Sequence, residues 1–154
     1  VNPALEEVRR VVGEGLIDVV QLHGDETPDF CRQVAGLGVR VLRALRVRDA
    51  DSGHRSLEEA IGSDVLIDAA VEGAFGGTGV SLNLDLASEL VARHPDRRII
   101  LAGGLTPLNV AVAVRAVRPS GVDVASGVES SPGVKDAGLV REFCREVRTA
   151  AQGM

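Results

Sequence analysis

The stretch IILAGGLTPLNVAVAVRAV, residues 99–117, holds one complete structural unit in nineteen letters. Residues 99–102 are a short, unbroken apolar run, the pattern of a parallel strand covered on both faces. Gly103 and Gly104 break the run. Thr106 then supplies a side-chain oxygen for capping and Pro107 suits the first turn, which predicts a helix to about residue 117. Strand, glycine turn and helix in that order make a βα unit.

The same unit recurs on both sides. Residues 17–22 form an apolar run that stops at His23-Gly24-Asp25-Glu26, and Thr27-Pro28 opens a helix with Phe30, Val34 and Leu37 on one face. Residues 39–47 are β-rich, 49–54 read as a polar loop, and 56–61 as a short helix. Residues 64–68 are a strand that ends on Asp68 and runs into Gly76-Gly77-Thr78-Gly79; residues 84–92 are helical and close at His94-Pro95. Residues 121–125 make a further strand, ending at Ser126-Gly127, and 137–150 a last helix. With a first helix over 3–14, the order is a helix followed by five strand–helix repeats. Such a repeat fits a doubly wound open sheet or a (β/α) barrel, and its regularity favours the barrel. No linker or composition shift divides the chain, so residues 1–154 read as a single domain.

Composition narrows the function. With three Phe, no Trp and no Tyr, the core must be built from Val, Leu, Ile and Ala. A formal net charge of −5 and the lack of stacking aromatics argue against nucleic acid as a partner. No apolar run approaches the ~18 residues of a membrane span. Cys31 and Cys144 lie far apart in helical contexts and read as reduced, buried thiols of a cytoplasmic protein. His54 and His94 read as loop residues, and no His, Cys and carboxylate set has metal-ligand spacing on one element.

In either architecture the active site lies at the carboxyl ends of the strands. Three of those ends carry glycines: Gly76, Gly77 and Gly79; Gly103 and Gly104; Ser126 with Gly127. Backbone N–H groups bind phosphate well where no side chain blocks the approach, so these turns could converge on one phosphate. An arbitrary strand-end Asp is most simply a loop cap. Asp68, however, faces the expected phosphate-sugar site. A carboxylate beside a bound phosphate and apolar walls holds its proton more tightly, which suits a general acid. His23 reads as a positioning group. Arg46 ends a strand and could reach a substrate carboxylate, although for it, as for Arg40 and Arg43, a structural ion pair is the expected role.

Several strings now stand together: VVQLHGDE (19–26), LIDA (66–69), GGTG (76–79), LAGGLTPLNV (101–110) and GVDVASGVESSPGVKD (121–136). In this order and spacing the chain closely resembles the phosphoribosylanthranilate isomerases of tryptophan biosynthesis. The resemblance implies a (β/α)₈ barrel fold and an Amadori rearrangement of an aminoaldose phosphate to an aminoketose phosphate, with no cofactor or metal. It implies that Asp68 is the general acid and that His23 lines the anthranilate side. It places Asp123 and Ser126 near the bound sugar phosphate, with the glycine turns as the phosphate cradle.

The strings of the family's first strands, a KICG-like one with the general-base cysteine and an arginine-bearing second, have no counterpart here. The expectation is therefore a partial barrel of about five parallel strands, the fourth to eighth, lacking the first two βα units and most of the third strand, and catalytically very weak alone. Its open edges would invite self-association. Two other functions compete: another phosphate-binding barrel enzyme such as a pentose-phosphate epimerase, or a partial barrel that only binds a sugar phosphate.

Overall fold

The computed structural model describes residues 1–62, 64–68, 70–72 and 80–153, with 70–72 and 80–82 as backbone only. The elements in chain order are α1 (Leu5–Gly13), β1 (Val19–Leu22), α2 (Pro28–Ala35), β2 (Arg40–Arg46), α3 (Ala50–Glu59) and β3 (Asp64–Asp68). There follow β4 (Ala70–Glu72), β5 (Val80–Leu82), α4 (Leu84–Arg93), β6 (Arg98–Ala102), α5 (Val110–Val117) and β7 (Gly121–Val122). A 3₁₀ turn (Ser126–Val128), β8 (Glu129–Ser131), β9 (Val134–Lys135) and α6 (Ala137–Ala151) complete the chain.

Five strands pair in parallel in the order β1-β2-β3-β6-β7. The register aligns their ends: Arg46 of β2 stands opposite Asp68 of β3, and Asp68 opposite Ala102 of β6. The strands alternate between two apolar environments, as their two-residue period requires. Val65, Ile67, Ile99 and Leu101 face the helices and pack with Leu86, Leu90, Val110, Val114 and Phe143. Ala44, Leu66 and Ala102 form a separate buried cluster with Leu42 and Ile100 against it. A third cluster seats α1 and α2 on β1 and β2 through Val8, Leu22, Cys31, Val34 and Val41. Aliphatic residues dominate all three, as the near absence of aromatics dictates.

Four local expectations change. Residues 49–54 are not a loop: α3 starts at Ala50 because Asp49 caps it, its carboxylate accepting the Ser52 N–H at 2.8 Å. His54 is thus helical, and its Nδ1 lies 2.9 Å from Nε2 of His94 at the end of α4. The last strand is shorter than 121–125, stopping at Val122, although the Asp123 N–H still donates to the Leu101 carbonyl at 2.9 Å. The helix after Gly104 starts at Val110 and not Pro107, because residues 107–109 form turns. Thr106 nonetheless accepts the Leu108 N–H at 3.2 Å. The antiparallel pairs β4–β5 and β8–β9 are additions to the βα pattern. Cys144 is exposed on α6, next to the buried Phe143, while Cys31 is buried as expected.

Among the described residues the sheet is open, with β1 and β7 as its edges. No described helix is long and apolar enough to cross a membrane.

Leu101 is fully buried on β6, an inner strand of the sheet. Leu101→Ala is expected to cost about 3 kcal/mol of stability, the sum of lost transfer energy and a cavity, measured by urea unfolding.

Candidate active site

The carboxyl ends of the parallel strands open on one cavity of about 340 Å³. β1 contributes Gln21 and, just beyond its end, His23. β3 contributes Leu66 and Asp68, the β6 exit Gly103, Gly104 and Leu105, and the β7 exit Asp123, Ser126 and Gly127. Every described residue singled out in the sequence for catalysis or binding therefore lines the same space. Gly76, Gly77 and Gly79 lie outside the described residues.

The glycine turns are shaped by real constraints. Gly103 and Gly104 have φ of +92° and +61°, a left-handed region that costs a side-chain-bearing residue energy. Asn109 holds the turn: its Nδ2 donates to the Gly104 carbonyl at 2.9 Å, and its Oδ1 accepts the Thr106 N–H at 2.8 Å. At Gly127 a Cβ would lie 1.8 Å from the Leu105 carbonyl oxygen. Only glycine lets the β7 exit lie against the β6 exit. Beyond it, Lys135 reaches back to the Ala125 carbonyl and the Glu129 carboxylate, each at 2.7 Å, and so pins the loop. The hydrogen bond from Lys135 holds the Glu129 carboxyl below its ordinary pKa.

At the other end of the rim, His23 is held by a polar strut. Arg43 of β2 donates to the Gly24 carbonyl at 2.8 Å and pairs with Glu26. The Glu26 side chain is only 3% exposed and also accepts the N–H groups of Gly24 (2.8 Å) and Asn2 (3.0 Å). Burial pushes the Glu26 carboxyl up, but the backbone N–H groups of Asn2, Glu26 and Gly24 and the Arg43 guanidinium outweigh it and hold its pKa below the ordinary value. His23 Nε2 is buried and has no hydrogen-bond partner among the described residues. A buried polar nitrogen without a partner is costly, and His23 lines the cavity where a ligand would bind.

Of the β2 arginines, Arg43 pairs with Glu26 and Arg40 lies 3.8 Å from Asp64, as expected for structural ion pairs. Arg46 has no ion pair among the described residues. Gln21 is a cavity residue that the sequence reading passed over. Its signal was present, as a polar letter late in the apolar run 17–22, just before the strand end. Neither cysteine reaches the rim: Cys31 sits in α2 and Cys144 in α6.

Comparison with known proteins gives a consistent result. The family model described as N-(5'phosphoribosyl)anthranilate (PRA) isomerase matches residues 1–146. The N-(5'-phosphoribosyl)anthranilate isomerase of Trichlorobacter lovleyi is 49% identical over 150 residues, covering 97% of this chain and 70% of that protein. The crystal structure of phosphoribosyl anthranilate isomerase from Thermotoga maritima superposes with a TM-score of 0.80 at 32% identity, covering 97% of this chain and 70% of that one. A phosphoribosyl anthranilate isomerase in complex with reduced 1-(o-carboxyphenylamino)-1-deoxyribulose 5-phosphate superposes at 0.76 with 30% identity, covering 96% and 68%. The chain thus spans about two thirds of the length of these relatives.

Two outcomes test the geometry. Gly127→Ala is expected to lose about 2 kcal/mol or more in urea unfolding, because backbone must move to admit the methyl group. Glu26→Gln is expected to lose about 2 kcal/mol at pH 7. Since the folded-state pKa of Glu26 is the lowered one, its ionised form stabilises the fold above about 4.5, and this contribution fades as pH falls through the folded value. The deficit of Glu26→Gln should therefore hold from pH 7 down to about 4.5 and narrow as pH falls further.

Proposed function

Because the chain belongs to the N-(5'-phosphoribosyl)anthranilate isomerase family of tryptophan biosynthesis, we propose that its strand-exit rim binds the phosphoribosyl substrate and supplies the acid half of the reaction. The fold is the family's (β/α)₈ type, represented here by five parallel strands, and the chemistry is that of an aldose–ketose isomerase. The observation that carries the proposal is the single cavity joining Asp68 to Gly103, Gly104, Ser126 and Gly127 on one side and His23 on the other.

The turns after β6 and β7 take the phosphate, where glycines clear the approach for backbone N–H groups. Asp68, on the central strand, gives its proton to the furanose ring oxygen as the bond from that oxygen to C1 breaks, leaving a protonated imine. A base then removes the proton on C2, and the electron pair moves toward nitrogen to give an enolamine, which tautomerises to the ketone. Electrons stay within the substrate, so no redox partner is required. His23 faces the aryl end, and Asp123 the sugar phosphate.

The five strands correspond, in this reading, to the fourth to eighth of the family barrel, and residues 1–154 to one partial-barrel domain. The sheet order and the two-thirds span support it. With neither cysteine at the rim, the base is the weak point of the chain on its own. A cytoplasmic setting, a small sugar-phosphate substrate and no nucleic-acid or membrane partner complete the proposal, along with self-association through the open β1 and β7 edges. The net charge of −5 supports the exclusion of nucleic acid.

The 154-residue chain assayed alone is expected to turn over at less than about a hundredth of a full family enzyme's rate, the scale of a lost proton-transfer group. Asp68→Asn should remove what turnover remains while leaving product-analogue binding within about threefold. An Asp68→Asn variant with the unmodified chain's rate would overturn the acid assignment.

A further inference from the structure

Among the described residues, no lysine or arginine lines the strand-exit cavity; the carboxylates of Asp68 and Asp123 line it instead. Residues 69–79, which follow β3, contain neither Lys nor Arg. A phosphate on this rim is therefore met by backbone N–H groups, and its affinity depends on where those groups point.

At the β7 exit the peptide joining Ala125 to Ser126 takes no direction from regular structure. Ala125 has φ −114° and ψ −87°, neither helical nor extended. Its carbonyl is fixed from outside: Lys135 Nζ donates to it at 2.7 Å. Lys135 does not line the cavity, whereas Ala125, Ser126 and Gly127 do. In a planar trans peptide the carbonyl and the following N–H point in opposite directions. Drawing the Ala125 carbonyl toward Lys135 therefore turns the Ser126 N–H away from Lys135, to the cavity side.

Lys135 is itself held. In the β8–β9 pair it stands opposite Glu129, whose Oε1 accepts from Nζ at 2.7 Å. The other oxygen, Oε2, accepts the Gly133 N–H at 3.1 Å. The next residue, Asp136, ties the hairpin to the body: its N–H donates to the Val128 carbonyl at 2.8 Å, and its carboxylate caps α6. Yet the hairpin adds nothing to the core, for residues 130–135 are all exposed. A hairpin without buried apolar surface, closed by an ion pair half open to water, contributes little stability. What it delivers is one ammonium to one carbonyl of the phosphate turn.

We propose that Lys135 is a positioning residue for phosphate binding: through the Ala125 carbonyl it aims the Ser126 N–H at the bound phosphate, with Glu129 as its tether. The assignment rests on the isomerase reading above, which puts the phosphate at this turn.

The test is calorimetric titration of the 154-residue chain with reduced 1-(o-carboxyphenylamino)-1-deoxyribulose 5-phosphate and with the same compound lacking the phosphate. Lys135→Met should weaken binding of the phosphorylated ligand about tenfold and leave the phosphate-free one within twofold. Lys135→Arg, which can still donate to the carbonyl, should recover part of the loss. Glu129→Ala separates position from charge. Removing an anion near a phosphate tightens binding if charge alone matters, whereas releasing Lys135 should weaken it about threefold. Lys135→Met should also melt within about 4 °C of the unsubstituted chain; a larger drop makes the hairpin a structural brace and overturns the proposal. Equal loss for both ligands, no loss, or tighter binding by Glu129→Ala overturns the role of Lys135 while the isomerase reading stands. Failure of the unsubstituted chain to bind the phosphorylated ligand overturns both.

Discussion

The site exists because of parallel register. Asp64 to Asp68 of β3 pair residue for residue with 42–46 of β2 and with 98–102 of β6. These three strands therefore end at the same level, and the residues that follow the parallel strands are delivered to the same side of the sheet. An antiparallel arrangement would send alternate exits to opposite ends. Parallel pairing needs a crossover over the sheet, and the helices that make it also bury the outward residues Val65, Ile67, Ile99 and Leu101. The hydrophobic packing that stabilises the sheet and the gathering of polar residues at one end are two results of one topology.

Turns at that rim are then set by close approach. Gly127 lies against the Leu105 carbonyl, and the left-handed Gly103 and Gly104 are braced by Asn109. These contacts bring two strand exits together so that backbone can face a ligand. The opposite end of the rim relies on charge. Glu26 and Arg43 form a largely buried pair whose remaining capacity is taken by the Gly24 carbonyl and by backbone N–H groups of Asn2 and Gly24. A buried pair contributes little net stability, yet it fixes geometry strongly because each partner is costly to leave alone. Here it fixes the loop that carries His23.

Strands were legible as apolar runs bounded by glycine, and helix starts where a capping side chain preceded a periodic stretch. Thr27 does cap its helix, its hydroxyl accepting the Phe30 N–H. Residues 49–54 were misleading because Asp, Ser, Gly and His have weak helix propensity; the Asp49 cap and burial of Leu57 outweigh it. The segment after Val122 looked like continued strand because it alternates apolar and polar residues, but the backbone leaves the sheet to form the 3₁₀ turn and the β8–β9 pair. Cys144 looked buried because free cysteine usually is. Its exposure depends on where α6 turns its face, which composition does not encode.

From its letters alone the chain declares a βα repeat, an aliphatic core, an acid at the end of the third sheet strand and glycine turns after later ones, because these depend on local chemistry and on periods of two and 3.6 residues. Motif order further ties it to its family. Only the tertiary structure decides that His23, Asp68, Gly104 and Gly127 share one cavity, that Gln21 joins them, that Arg43 is committed to Glu26 and that Arg46 is not. Those facts depend on strand order and on which neighbour each side chain meets across the sheet. Asp68 and Asp123, 55 positions apart in sequence, are brought to one cavity across two strand spacings by pairing alone.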